Sequence, residues 1–167
     1  MSDIKPAENV GFNSPTYGNV SFDFAISKIS EFVDSNLDRQ FRIIVGADSQ
    51  LNNIKKSADF VVAIIIHRVG NGGIYFWKRM NRLGPYALKQ RMIEEALLSL
   101  ETAYDVLQAL GRRDGLLEMM EIHVDVGQKG PTREVISEVV GMVRGNGFNV
   151  KIKPDAYAAS KVADRHT

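Results

Sequence analysis

Phe41-Arg42-Ile43-Ile44-Val45-Gly46-Ala47-Asp48-Ser49-Gln50 is an apolar, β-branched run that breaks off at an acid. Its length and composition predict a buried strand with Asp48 at its end, where a strand hands over to a loop and a carboxylate can meet a metal or a substrate. Asp-Ser-Gln is also good turn chemistry, so a turn-forming Asp48 is the competing reading. The rest of the chain decides between them, because other acids recur at the ends of later elements.

Working outward, Phe60-Val61-Val62-Ala63-Ile64-Ile65-Ile66-His67 lies within a second strand, Ala58 to Val69, and Ile74 to Arg79 reads as a third. Asn71-Gly72-Gly73 between them is a short glycine turn, which makes the pair a hairpin. Gly84-Pro85 precedes a long helix, Tyr86 to about Leu110, with Met92, Ile93, Ala96, Leu97, Leu100, Tyr104 and Leu107 on one face and Gly111 as its stop. A fourth strand, Met119 to Val126, again ends in an acid, Asp125. A helix from about Thr132 to Arg144 and a fifth strand, Phe148 to Lys153, follow. Pro154-Asp155 then opens a last helix, Ala156 to about Asp164, with Asp155 at its cap.

The expected order is β-β-β-α-β-α-β-α, an α/β fold with a five-stranded mixed sheet. The crossovers require strands one, four and five to lie parallel, with strands two and three on the other edge. Strands one and four then become neighbours, and Asp48 and Asp125 leave the sheet side by side. Paired carboxylates raise each other's proton affinity unless a cation lies between them, and hard ions such as Mg²⁺ or Mn²⁺ take oxygen ligands of this kind. Asp155 begins the last helix at the same edge of the sheet. Glu94 or Glu95 of the long helix is the candidate fourth acid, and helical geometry does not choose between them. Each has an ordinary alternative: Asp125 as a strand terminator, Asp155 as a helix cap, the glutamate as a solvated charge.

Before this core, Ser21 reads as an N-cap and Phe22, Ala25, Ile26, Ile29, Phe32 and Val33 recur at helical spacing. Residues 1–20 read as an extended or disordered arm, leaving residues 21–167 as one domain with its core at about 41–167. A length of 167 residues, 44% hydrophobic and 25% charged, suits one globular domain. The absence of cysteine excludes disulfides, thiolate metal sites and a cysteine nucleophile. Met1 to Val20 has no signal-peptide pattern and no apolar run approaches a membrane span, so a cytoplasmic location is the expectation. A net charge of +1 neither favours nor disfavours a nucleic-acid partner. Lys78, Arg79, Arg82, Lys89 and Arg91, interleaved with Trp77 and Tyr86, form the densest basic and aromatic cluster, a candidate phosphate-backbone contact or else a charged, protected edge strand. Gly127 to Thr132, with Lys129, leads into a helix but lacks the Walker spacing.

The set of acids in this order of elements resembles the ribonuclease H-like superfamily over about residues 41–167. More narrowly, Gly46-Ala47-Asp48-Ser49-Gln50, His123-Val124-Asp125-Val126-Gly127 and Lys153-Pro154-Asp155-Ala156-Tyr157-Ala158-Ala159-Ser160, with Ala163-Asp164-Arg165, look like the signatures of the YkuK-type family. The resemblance implies a nuclease hydrolysing phosphodiester bonds in RNA, RNA-DNA hybrid or structured DNA with two Mg²⁺ or Mn²⁺ ions. It places Asp48, Asp125 and Asp155 as metal ligands. The likeness of Arg91 to Tyr104 to the family's helix favours Glu95 over Glu94 as the fourth acid. Asp164 is the alternative last-helix acid, and His166 beside it is a candidate accessory group. Lys78, Arg79, Arg82 and Lys129 are the expected nucleic-acid contacts. A catalytically silent binding module of the same fold is the rival reading. A third is an actin-like nucleotide binder, to whose phosphate loops Asp125-Val126-Gly127 is similar.

Overall fold

The computed structural model describes residues 11–35, 40–68, 70, 72–111, 113–130, 133–156, 161–162 and 165. In chain order these form β1 (Phe12–Ser14), β2 (Gly18–Val20), α1 (Phe22–Asp34), β3 (Phe41–Asn52), β4 (Ser57–Arg68), β5 (Gly73–Leu83), α2 (Leu88–Leu110), β6 (Met120–His123), α3 (Ile136–Gly145) and β7 (Asn149–Lys151). One mixed sheet runs β2-β1-β5-β4-β3-β6-β7. β3, β4 and β5 are mutually antiparallel, while β6 lies parallel to β3 and β7 parallel to β6, the arrangement that the two crossovers demand.

The sheet has seven strands, not the expected five. The two extra strands come from the stretch read as an arm: β1 and β2 form a hairpin that pairs with β5 at Asn13 and Trp77. Three-residue strands are too short to display a period of two, so they left no readable pattern. Side-chain chemistry holds the turn instead. The Ser14 hydroxyl accepts from the Thr16 and Tyr17 amides at 3.2 and 3.4 Å, and Gly18 takes a positive φ of 73°. Tyr17 then stacks on buried Phe76.

β3 does not stop at Asp48 but continues to Asn52, because β4 accompanies it without a break from Arg68 to Ser57. What ends earlier is its other neighbour: β6 pairs only as far as His123, opposite Gly46. Asp48 therefore lies where one side of the strand has lost its partner. β5 likewise runs past the expected Arg79 to Leu83.

The apolar alternation of β3 splits between two faces. Ile43, Val45 and Ala47 join Val62, Ile64, Phe76, Met120 and Ile122 in the main core, closed by Ala25, Ile29 and Val33 of α1 and by Met92, Ala96, Leu100, Ala103 and Val106 of α2. Ile44 faces the other way and packs with Ile65, Tyr75 and Val162. α1 begins at the predicted cap, where Ser21 Oγ accepts from the Phe24 amide at 3.1 Å. Arg113 fastens its far end, donating to Asp34 Oδ1 at 2.5 Å and to Ser30 Oγ at 2.6 Å. α2 starts two residues later than expected, since Ala87 is still extended at ψ 158° and its amide is taken by the Gln90 side chain. Of the expected last helix, residues 161, 162 and 165 are helical, and Asp164 and His166 lie outside the described residues.

Candidate functional site

The parallel register of β3 and β6 sets Ile43 beside Met120 and Gly46 beside His123. Continued by two places, it brings Asp48 level with Asp125. At that point β6 has ended: the Val126 amide turns back to the Val124 carbonyl at 2.9 Å, a γ-turn centred on Asp125 that points this residue out of the ladder. Asp48 and Asp125 are both half-buried.

Glu95 arrives from the other direction, on α2, and is only 2% exposed. Ser49, the residue after Asp48, donates its hydroxyl to Glu95 Oε1 at 2.5 Å. Arg91, one turn earlier on α2, donates to the Ser49 carbonyl at 3.2 Å. The other carboxyl oxygen, Glu95 Oε2, is buried without a hydrogen-bond partner. Burial pushes the Glu95 pKa up to about 8; the Asp48 and Asp125 carboxylates add to the rise, while Ser49 and Arg91 oppose it. Both aspartates thus act on Glu95 through space, and the three acids share one neighbourhood. Glu94, the alternative, is drawn aside into an ion pair with Arg82 of β5.

Asp155 is exposed and follows β7 in a turn closed by its amide on the Ile152 carbonyl at 2.8 Å. It lines a surface cleft of about 590 Å³ together with Gly127, Lys129 and Lys153. Lys153 links this cleft to the acids, since its Nζ lies 2.9 Å from Asp125 Oδ1. A second cleft, of about 550 Å³, sits around Gly111 and Asp114, roughly 24 Å along α2 from Glu95 at 1.5 Å per residue.

The expected nucleic-acid contacts are divided by the pleat of β5, which sends alternate side chains to opposite faces. Lys78 lies over the Phe12 ring, Arg79 pairs with Asp59 at 2.8 Å on the other face, and Arg82 is held by Glu94. Exposed Lys129 stands apart from them, on the rim of the 590 Å³ cleft. Arg42 and Glu121, the partners of His123, went unrecognised in the sequence. Arg42 donates to Glu121 Oε1 at 2.7 Å, and Glu121 Oε2 lies 3.0 Å from His123 Nε2, with Glu121 and His123 buried. The signal was their alternation with Met120 and Ile122, which sets them on the face opposite the main core. Burial lowers the His123 pKa, against the pull of Glu121.

Among the described residues no three His, Cys, Asp or Glu side chains are already gathered as a metal-binding set. The chemistry of the group nevertheless suits a hard divalent ion: all donors are carboxylate oxygens, and one of them, Glu95 Oε2, is buried and unsatisfied. A cation beside it would stabilise the ionised form that burial disfavours.

The model of the family described as Ribonuclease H-like matches residues 25–167. The chain belongs to the ribonuclease H-like family. It is also similar to the uncharacterized protein YkuK of Bacillus subtilis (strain 168), at 28% identity over 96% of this chain and 99% of that protein. No solved structure matches it. Membership suggests a nuclease-like or nucleic-acid-binding role for this ribonuclease H-like chain. Among its described residues no helix is long and apolar enough to cross a membrane.

Proposed function

We propose that the protein is a divalent-metal-dependent nuclease acting on RNA, RNA-DNA hybrid or structured DNA. The observation that carries this reading is Glu95: a buried carboxyl with an unpartnered oxygen, sensing Asp48 and Asp125 across the end of the sheet. Nothing in packing requires an acid there, and an unpaired one costs stability. In this reading Asp48, Glu95 and Asp125 hold the ions, with Asp155 closing the set from the cleft side. When bound, Mg²⁺ or Mn²⁺ supplies an activated water and stabilises the departing oxygen during in-line attack on the phosphodiester. The chain's own contribution is placement. Ser49 fixes one oxygen of Glu95 and leaves the other without a hydrogen-bond partner, while Arg91 holds the Ser49 backbone that carries the bond. Asp48 sits on a strand paired with β4 along its whole length, so its position is rigid.

The decisive measurement is cleavage of labelled RNA, hybrid and branched DNA with Mn²⁺ or Mg²⁺ by the wild-type chain and by Asp48→Asn. Activity should fall more than about 100-fold, beyond the 10- to 100-fold that a lost supporting contact costs. An equal rate in the variant would dismiss the mechanism. A second reading, a binding module without activity, is favoured by the Lys153–Asp125 pair, which already neutralises one of the acids. It predicts nucleic-acid affinity independent of Mg²⁺ and no cleavage.

A further inference from the structure

Lys153 is paired with one of the candidate acids, Asp125, and the nuclease reading gives it no role. Its backbone is fixed, because its amide donates to the Val126 carbonyl at 2.9 Å. Its stem lies along Gly127: a Cβ at position 127 would stand 3.2 Å from Lys153 Cβ and 3.5 Å from Cδ. Glycine here leaves room for the lysine stem to pass close by. The ammonium end rests on Asp125, yet the side chain is 55% exposed and borders the cleft that Lys129 also lines. Two lysines on one cleft beside three acids form a bipolar site, with oxygen ligands at one end and ammonium groups at the other. A metal-bound phosphodiester needs both.

We propose that Lys153 is a phosphate-binding residue for a nucleic-acid substrate, parked on Asp125 until a divalent ion claims that carboxylate. This rests on the nuclease reading and gives the site its substrate end. The Asp125 carboxylate cannot serve the ammonium and a dication equally, and a pair as exposed as this one holds only weakly. Arrival of the ion frees the ammonium, which the ion's charge repels toward the cleft. There it meets the phosphate flanking the scissile one, with Lys129 on the far side. Metal and substrate binding are thereby coupled through one side chain.

The test uses the full chain and the variants Lys153→Met and Lys153→Arg. Calorimetric titration with Mn²⁺ alone should give about two- to tenfold tighter binding for Lys153→Met, because a competitor for Asp125 is gone. Binding of a fluorescein-labelled RNA-DNA hybrid in Ca²⁺ should weaken several-fold, and the slope of log affinity against log salt should shrink by about one. Lys153→Arg should restore the salt slope. A structural lysine would weaken both or neither; metal affinity unchanged or reduced in Lys153→Met overturns the proposal, and so does an unchanged salt slope. If wild type binds neither Mn²⁺ nor hybrid, the nuclease reading falls and this role with it. If wild type binds both and Lys153→Met matches it, only the role of Lys153 falls.

Discussion

Glu95 sits where its fold would be better served by a neutral side chain. Burial pushes its pKa up to about 8 against 4.5 ordinarily, so between those values the folded chain keeps a proton that the unfolded chain has released. The resulting stabilisation is complete below about pH 4.5 and drains away as pH rises through 8. Urea denaturation of the metal-free protein between pH 5 and 9 should therefore show falling stability, and Glu95→Gln should flatten that slope. At pH 8 the variant should exceed wild type by at least about 1 kcal/mol, a pKa unit being worth about 1.4 kcal/mol, while losing Mn²⁺ affinity. Wild-type metal affinity should rise with pH up to about 8, because the ion must displace the Glu95 proton. Composition alone gave no sign of this residue's burial: Glu94 and Glu95, about 100° apart on the helix, lie at similar angles off its apolar stripe. Only the partners separate them, Arg82 for one and Ser49 for the other.

The long elements were legible because their patterns are long. β3, β4 and α2 each show enough apolar periodicity to betray both type and face, and α1 carried a cap and a stripe that the fold uses as written. Ser21→Ala should cost about 1 kcal/mol through the lost bond to Phe24. Ile29→Ala, at a fully buried position, should cost about 2–5 kcal/mol in urea titration. Where partners rather than propensity set an element's length, the sequence misled. β3 outruns its apolar stretch because β4 pairs with it to Asn52, and β6 stops short of Val126 because Asp125 turns away from the ladder. The basic cluster of β5 failed for a related reason: adjacency in sequence is opposition across a pleat, and internal acids occupy the arginines.

Across the whole molecule, the convergence of Asp48 and Asp125 was readable because topology rules alone make β3 and β6 parallel neighbours. The added hairpin was not, yet it protects the sheet. β5 is an eleven-residue strand whose outer side meets β1, and Phe12 and Tyr17 cover Phe76 from there. Removing residues 1–20 should lower the melting temperature and promote association through the bared edge, visible by light scattering at micromolar concentration.

The shared register of β3 and β6 also governs when the site exists during synthesis. A ribosome delivers Asp48 and the whole of α2 before β6 emerges, so for a time the growing chain carries Glu95 with no Asp125 to face it. On the nuclease reading proposed above, the chain would be made in the company of messenger, transfer and ribosomal RNA. On that reading, carrying Asp125 after α2 in the chain would leave the nascent polypeptide without its full set of acids until the sheet closes.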